Sequence, residues 1–198
     1  MNTSTDQLRV LAADEDQAAL ARTASVLEAL GHHVTATATE LAQVTEAVAR
    51  EEPDLSIVVV HTDDEHALDL IEEITAFADG PVIAMQANED DPEFARRAAE
   101  RGIYAAVRGG DRDALQSAIE VAMRRHAEAQ RLTEQVGRLE TALERRAVIE
   151  RAKGMLMERH GLTDREAFDR IRAFARSKNR TVVDVAGNVT AGEESLGG

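Results

Sequence analysis

The sequence predicts an α/β fold, in which a doubly wound five-stranded parallel sheet is followed by a long helix and a small all-α domain of three helices. Three observations lead to this prediction. Short apolar segments alternate with helical periods from Leu8 to about residue 124. A stretch without proline then runs from Asp111 through Gly161 and carries an apolar heptad pattern. Three short amphipathic segments follow between residues 146 and 190.

Composition limits the classes of protein that need to be considered. The chain has 198 residues and is 43% hydrophobic, which is enough for a globular core. It has no cysteine, so disulfides, zinc fingers and thiol nucleophiles are excluded. No apolar run approaches the length of a membrane span, and the first ten residues lack a basic region followed by an apolar one. We therefore expect a cytoplasmic protein that has no membrane partner and needs no cofactor.

The predicted strands are short apolar segments separated by helices of roughly ten to fifteen residues. They are Arg9–Ala13, His33–Thr37, Leu55–Val60, Val82–Met85 and Tyr104–Val107. Five β/α units in succession predict a parallel sheet whose ligands bind at the carboxyl ends of the strands. The run from Ser56 to Val60 is typical of a central strand buried on both faces.

The order and spacing of these elements over residues 7–124 resemble the receiver domain of bacterial response regulators, a flavodoxin-like fold. Receivers hold a magnesium ion with an acidic pair that follows the first strand. Asp14 and Glu15 stand at that position in this chain. The resemblance therefore implies a receiver-like first domain.

The remaining positions of the receiver's phosphorylation site depart from the family pattern. Counting from Pro53-Asp54-Leu55, the position of the phosphorylated aspartate is Val59. The switch serine or threonine that ends the fourth strand is Gln86, and the lysine that ends the fifth is replaced by Arg108 or Gly109. Valine cannot accept a phosphoryl group, so we predict a pseudo-receiver. Its degenerate phosphorylation site comprises Asp14, Glu15, Val59, Gln86 and Arg108.

Polar residues that follow the third strand allow two other interpretations. A shifted register would make Asp63 or Asp64 the phosphoacceptor, but both lie beyond the apolar run. Together with His61 and His66 they also form a candidate metal cluster. Their spacing matches no known metal site, and a solvated loop is the simpler interpretation. We predict no metal site here. The acidic pair that follows the first strand allows weak cation binding, but a remnant of the receiver site or a loop cap is the favoured interpretation.

A heptad pattern runs along the helix that joins the two predicted domains, and residues 125–145 are predicted to be a coiled-coil linker. Before this linker, Leu115, Ile119 and Met123 are expected to pack on the sheet. The later apolar positions have no sheet left to cover, and a lone solvated helix would expose them together as a contiguous apolar stripe. We therefore predict a homodimer, weakened by Gly137 and Arg125. Its seam consists of Ala129, Leu132, Val136, Leu139 and Leu143.

The three predicted helices of the last domain, residues 146–190, each have a recognisable end or cap. Gly161 ends the first helix. Thr163 and Glu166 have the spacing of a capping box and begin the second helix, and Thr181 caps the third. The apolar face of the second helix is predicted to contain Ala167, Phe168, Ile171, Phe174 and Ala175. The remaining residues, 191–198, are expected to be a disordered tail.

Four short sequence blocks in this domain carry a second resemblance. They are the run from Ala152 to Met157, the pair Ala167-Phe168, Ala175, and the run from Asp184 to Ala186. In this order they resemble the ANTAR domain, a family named for the AmiR and NasR transcription antitermination regulators. The resemblance implies a three-helix RNA-binding module that binds paired hairpins in nascent transcripts, usually as a dimer and under the control of an attached sensory domain.

Charge is divided unevenly along the chain. The segment from Glu144 to Ala186 has 11 Lys and Arg against 7 Asp and Glu, a net charge of +4. The whole chain has a net charge of −14, so the rest carries −18. A basic segment in an acidic protein confines contact with a polyanion to one surface. The candidate RNA-binding residues are Arg146, Arg151, Lys153, Arg165, Arg172, Arg176, Lys178 and Arg180.

Two other interpretations of the basic helices were weighed. Solvated helix faces would pair their arginines and lysines with Glu150 and Asp169, but the ANTAR resemblance favours RNA contact. A DNA-binding helix-turn-helix fits poorly, because the third helix offers mostly valine and alanine beside the acidic Asp184. Only 3% of the residues are aromatic, so we expect contacts with RNA backbone and shape rather than base stacking.

The sequence thus predicts an RNA-binding transcription antitermination regulator that acts by binding and has no catalytic residue. The alternative is an adaptor that signals through a partner protein rather than through RNA. A phosphoryl-accepting switch would need an acidic acceptor, which Val59 does not provide. The sequence does not identify the signal that the pseudo-receiver senses. The alternatives are a small molecule at the strand ends, a regulatory protein, and the concentration of the protein itself, which would act through dimerisation.

Overall fold

The structure, a computed structural model, describes residues 7–61, 64–87, 92–194 and 196. The chain divides into two compact units, one that ends at Gln130 and one that begins at Arg131. Each unit is described by itself. Within the described ranges no helix combines the length and the apolar character that crossing a membrane requires.

The first unit contains a five-stranded parallel sheet, as the sequence predicts. Its strands are β1 (Arg9–Ala13), β2 (His33–Ala38), β3 (Leu55–Val60), β4 (Val82–Gln86) and β5 (Ala105–Arg108). The strand order is β2-β1-β3-β4-β5, the order of flavodoxin-like folds. Because all neighbours are parallel, the carboxyl ends of the strands meet at one edge.

Helices alternate with these strands along the chain. They are α1 (Gln17–Ala29), α2 (Leu41–Glu51), α3 (Asp64–Phe77), α4 (Pro92–Glu100) and α5 (Arg112–His160), of which α5 contributes residues to both units. Aspartates cap two of them. Asp16 accepts a hydrogen bond from the amide of Ala18, and Asp111 accepts one from the amide of Ala114. These caps satisfy amides that have no partner inside the helix.

Two apolar clusters cover the two faces of the sheet, and β3 contributes to both. Val58 and Val60 pack with residues of α2, α3 and α4, whereas Ile57 and Val59 pack with residues of α1 and α5. All six residues of β3 are buried, which confirms the predicted central strand. The start of α5 packs on the sheet as predicted, with Leu115 buried in the second cluster.

The second unit consists of the rest of α5 followed by α6 (Asp164–Ser177) and α7 (Val182–Ala191). Gly161 ends α5 in the left-handed conformation, with φ of 64°, which a glycine adopts without steric cost. The predicted capping box of Thr163 and Glu166 is confirmed at the start of α6. Thr181 forms a second capping box, whose partner is Asp184.

A small core holds the three helices of this unit together. Its buried residues are Ala152, Leu156, Ala167, Ile171, Ala175, Val185, Ala186, Val189 and Leu196. Phe168 was predicted on the buried face of α6 but is 36% exposed and lies outside this cluster. Leu196 is only 3% exposed, and Glu194 pairs with Arg180. These two residues therefore belong to the unit and not to the predicted disordered tail, while residues 195, 197 and 198 lie outside the described ranges.

Candidate nucleic-acid interface

Three arginines follow one flank of α6, where the sequence predicts RNA contact. Arg165, Arg172 and Arg176 are all exposed and are spaced by seven and four residues, so their side chains share one side of the helix. Arg165 lies 4.0 Å from the carboxylate of Asp169, the limit of an ion pair. Neither Arg172 nor Arg176 makes an ion pair with any residue that the structure describes. We name this set the α6 arginine flank.

Lys153 differs from the other predicted RNA-binding residues because it is only 7% exposed. Its Nζ lies 2.6 Å from Oδ1 of Asp164 and 2.9 Å from Oε2 of Glu150. Hydrogen bonds to Asp164 first, and then to Glu150, raise the pKa of Lys153 above its ordinary value of 10.5. The ammonium joins α5 to the beginning of α6. Its burial and its two carboxylate partners argue against the predicted contact with RNA phosphate.

Arg180 is also held inside its unit. Its Nη1 lies 2.6 Å from Oε1 of Glu194, and its other terminal nitrogen donates to the carbonyl of Asp184 at 3.4 Å. The side chain of Arg180 is 31% exposed, and it ties the segment that follows α7 to the start of α7. It is therefore less available to RNA than its sequence position indicates.

The remaining predicted basic residues are accessible. Arg146 and Arg151 are exposed on α5. Lys178 is exposed at the end of α6, and its Nζ lies 5.9 Å from the centre of the Phe174 ring, a cation–π distance. Six of the eight predicted residues thus lie on the surface of the second unit.

An open groove of about 1080 Å³ lies beside α5 in the second unit. Phe168 forms part of its wall with Ile149 and Val183, and Arg145 and Arg146 line it from α5. The sequence does not predict this exposed ring, because periodicity places Phe168 on the buried face of α6 and the low aromatic content favours contacts with RNA backbone and shape. The available signal was its position, since Phe168 precedes Arg172 by four residues and follows Arg165 by three, so it borders the α6 arginine flank.

At the carboxyl ends of the strands in the first unit, Asp14 and His61 lie together. Nε2 of His61 lies 2.8 Å from Oδ1 of Asp14, and the amide of Asp16 donates to the same oxygen at 2.9 Å. Asp14 is fully buried, and its Oδ2 has no hydrogen-bond partner within the described ranges. Parallel register brings these two positions together, because β1 and β3 are neighbours and each residue directly follows the end of its strand.

The other positions of the predicted degenerate site are spread over the same edge. Val59 is 4% exposed and Gln86 is 7% exposed, whereas Glu15 and Arg108 are exposed. Gln86 pairs with Arg108 in the register of β4 and β5. Asp63, weighed as a metal ligand or phosphoacceptor, lies outside the described ranges, as does the side chain of Asp64.

A cavity of about 350 Å³ opens at this edge between α1 and α5. Val59, Met85 and Leu115 provide apolar lining, and Arg22 and His61 provide polar groups. The cavity is of the size and composition of a site for a small molecule.

The predicted dimer seam is exposed along α5. The exposed fractions of Leu132, Val136, Leu139 and Leu143 are 55%, 53%, 65% and 66%, and Ala129 is exposed as well. Gly137 does not interrupt the helix. Four large aliphatic side chains thus form a stripe on one side of α5 without a partner among the described residues.

The sheet order and the three-helix unit define the class of protein as one in which a receiver-like fold is followed by a small helical unit. Solved receiver domains have the same fold. That of a modulated diguanylate cyclase from Desulfovibrio desulfuricans G20 aligns with 63% of this chain and 99% of its own length, with a TM-score of 0.54 and 20% identity. A CheY-like receiver domain protein from Methanospirillum hungatei JF-1 also aligns with 63% of this chain and 99% of its own length, with a TM-score of 0.52 and 18% identity.

The ANTAR domain model matches residues 137–189. The transcriptional regulatory protein PdtaR of Mycobacterium tuberculosis is 30% identical over 179 residues, which is 90% of this chain and 87% of that protein. The nitrate regulatory protein of Klebsiella oxytoca is 39% identical over 59 residues, 30% of this chain and 15% of that protein. This chain belongs to the ANTAR-domain response regulators.

Proposed function

We propose that the chain is an RNA-binding transcription antitermination regulator. The observation that carries the proposal is the α6 arginine flank. The second unit contains the ANTAR match and is called the ANTAR unit below. Three exposed guanidinium groups lie on one side of its helix α6, two of them without an ion pair in the described chain. Phosphate neutralisation supplies a large share of nucleic-acid affinity, and guanidinium groups bind phosphate in a bidentate geometry. Most of the acidic residues lie outside this unit, so RNA would meet a basic surface on an acidic protein.

The proposed mechanism is binding without catalysis, by a dimer. A second copy of the chain covers the exposed stripe from Leu132 to Leu143 and forms the coiled coil, which places two ANTAR units on one assembly. Two units can then hold two hairpins of one transcript in competition with a terminator. We assign residues 7–124 to the receiver-like domain, residues 125–145 to the linker and residues 146–190 to the core of the RNA-binding domain.

We further propose that the receiver-like domain is a pseudo-receiver. Val59 provides no oxygen at the acceptor position, and His61 with the Asp16 amide already engages Oδ1 of Asp14. Among the described residues at this edge, Oδ2 of Asp14 is a buried oxygen without a partner, and Glu15 is exposed. This donor set does not fit the magnesium site of a phosphorylatable receiver, because too few of the described carboxylates converge. Control would then come from a small molecule in the cavity of about 350 Å³ that Val59 lines, or from a regulatory protein.

Binding of the full-length chain to RNA at several salt concentrations tests the proposal. A library of two-hairpin RNAs with randomised loops is offered to the protein, and the selected RNA is titrated by filter binding. We expect an affinity that falls steeply as salt rises, because each neutralised phosphate releases counterions. The adaptor alternative predicts that no RNA is selected and that any residual binding lacks this salt dependence. Pulling down transcripts from cells would then identify the natural target.

A further inference from the structure

Phe168 is placed unlike its apolar neighbours on α6. It is 36% exposed, whereas Ala167 and Ile171 beside it on α6 are fully buried. The second aromatic residue of the helix, Phe174, packs against the core and lies under the ammonium of Lys178. Burial of a phenylalanine is strongly favourable, and this ring keeps about a third of its surface exposed at the edge of the core.

The surroundings of Phe168 are basic on two sides. On α6 its neighbours at i−3 and i+4 are Arg165 and Arg172 of the α6 arginine flank. Across the groove stand Arg145 and Arg146 of α5, neither of which makes an ion pair with any described residue. The groove's two acidic residues are partly engaged, since Glu134 pairs with Arg138 and Glu150 pairs with Lys153. An anion with a flat apolar part matches this arrangement.

Much of the groove lies on the side of α5 away from the predicted seam, although Arg146 and Glu150 line it from positions that follow Leu139 and Leu143 by seven residues. Gly137, Thr141 and Arg145 line it at spacings of four, and they lie about half a turn away from Leu139 and Leu143. A second helix paired along Leu132 to Leu143 would therefore leave open the part of the groove that Gly137, Thr141 and Arg145 line. This separation favours RNA over a second copy of the chain as its occupant.

We propose that Phe168 is a stacking platform for an unpaired base of the bound RNA, and that Arg145 and Arg146 contact the phosphates beside that base. This inference rests on the proposed RNA-binding function and adds the site at which a loop base is held. Single-stranded loops are the parts of RNA whose bases are free to stack on aromatic side chains. The α6 arginine flank would then position the RNA backbone, while Phe168 selects for a loop with a base that can leave its stack.

The test uses the full-length chain and the two-hairpin RNA selected with it, carrying 2-aminopurine at one loop position at a time. Stacking on the ring should quench the fluorescence at one loop position when the parent protein binds. Phe168→Leu keeps an apolar side chain but loses the flat ring, so quenching at that position should disappear. Affinity should fall roughly five- to hundredfold, since one stacked base is worth about 1–3 kcal/mol. The salt dependence should stay unchanged, because no phosphate contact is lost.

Two matched variants complete the design. Phe168→Trp retains an aromatic surface and should restore both quenching and affinity. Arg145→Ala should instead flatten the salt dependence by roughly one unit while quenching at saturating protein persists. Equal affinity and equal quenching for the parent and Phe168→Leu would overturn the stacking inference and leave the proposed function standing. A change of sedimenting mass in Phe168→Leu would assign the ring to a contact between copies. If the parent selects no RNA, the proposed function itself fails.

Discussion

Nζ of Lys153 lies 2.6 Å from Oδ1 of Asp164, and this ion pair joins the end of α5 to the first turn of α6. Asp164 stands where a negative charge also favours the positive end of the α6 dipole. Glu150 provides a second partner one turn earlier on α5. The geometry makes Lys153 a positioning residue for α6, although its sequence position in a basic segment pointed to RNA.

The first prediction concerns this ion pair. Lys153→Met preserves the length of the side chain but removes both hydrogen bonds, so α6 should lose part of its anchorage to α5. Peptide-resolved hydrogen exchange on the full-length chain should show faster exchange at the start of α6, and the second unit should melt several degrees lower. Arg151→Met, on the exposed face of α5, is the matched control and should change neither. If Lys153→Met leaves exchange and melting unchanged but weakens RNA binding, Lys153 is an RNA contact after all.

The second prediction is a dependence of α6 and α7 on pH. A hydrogen bond from Thr163 lowers the pKa of Glu166 below its ordinary value of 4.5, and one from Thr181 lowers the pKa of Asp184 below 3.8. A carboxyl whose pKa is lowered in the folded state stabilises that state at pH values above its ordinary pKa. This stabilisation is lost as the pH falls through the lowered pKa of the folded state. Exchange protection should therefore decrease below about pH 4.5 at the start of α6 and below about pH 3.8 at the start of α7, the ordinary values for Glu166 and Asp184.

Thr163→Ala is the control for the acid dependence. It removes the hydrogen bond that lowers the pKa of Glu166, so the acid-dependent loss of protection at α6 should shrink while that at α7 persists. Lys153 contributes in the opposite direction, because its pKa is raised. The stabilisation that Lys153 contributes is present below pH 10.5 and is lost as the pH rises through the raised pKa of Lys153 in the folded state. Protection at α6 that stays constant from neutral pH into acid would contradict the capping role of Glu166.

The elements that sequence predicted well are those with strong local signals. Gly161, the Thr163 capping box and the apolar run of β3 each depend on neighbouring residues, and all are confirmed. The misplaced residues depend on contacts between elements. Phe168 fits the periodicity of a buried face, but the core is too small to cover the whole of that face. Charge pattern alone could not distinguish a solvated lysine from Lys153, whose partner belongs to the next helix.

The pairing of Asp14 with His61 shows another limit. Both positions were singled out from the sequence, Asp14 as part of an acidic pair and His61 as a possible metal ligand. Their meeting follows from strand order, which places β1 beside β3. The sequence predicted a flavodoxin-like fold, but the two positions were interpreted separately, so the pair itself was not predicted. Once the order is known, two residues that follow adjacent parallel strands are expected neighbours.

The third prediction tests the pseudo-receiver. Incubation of the full-length chain with acetyl phosphate and magnesium should leave its mass unchanged, because Val59 has no group that accepts a phosphoryl group. A receiver that retains its acceptor aspartate, treated in the same reaction, provides the positive control. Intact-protein mass spectrometry gives the result. A stoichiometric phosphoryl adduct on any aspartate of the chain would show that the acceptor lies elsewhere and that the pseudo-receiver assignment is wrong.

The fourth prediction concerns the dimer. Leu139→Lys places a charge in the seam, where desolvation is costly, so sedimentation should show a dimeric parent and a largely monomeric variant. Thr141→Lys adds the same charge on the opposite side of α5 and should leave the dimer intact. A monomeric parent, or equal masses for the parent and Leu139→Lys, would remove the coiled coil from the proposed mechanism.

The last prediction separates phosphate contact from core packing in the ANTAR unit. Arg172 and Arg176 are exposed and make no ion pair with a described residue, so replacing both with alanine should leave melting nearly unchanged. Surface changes of this kind usually shift stability by less than about 0.5 kcal/mol each. RNA affinity should nevertheless fall, and the salt dependence of binding should flatten by roughly one unit for each lost phosphate contact.

Ala175→Asp is the contrasting control for this experiment. Ala175 is 2% exposed in the core of the unit, so a carboxylate there should unfold the three helices and abolish binding for a structural reason. Circular dichroism distinguishes the two outcomes, because the double alanine variant should keep its helicity whereas Ala175→Asp should lose part of it. Unchanged affinity and unchanged salt dependence in the double alanine variant would exclude these two arginines from the RNA interface. The RNA surface would then have to be sought around Phe168 and the arginines of α5.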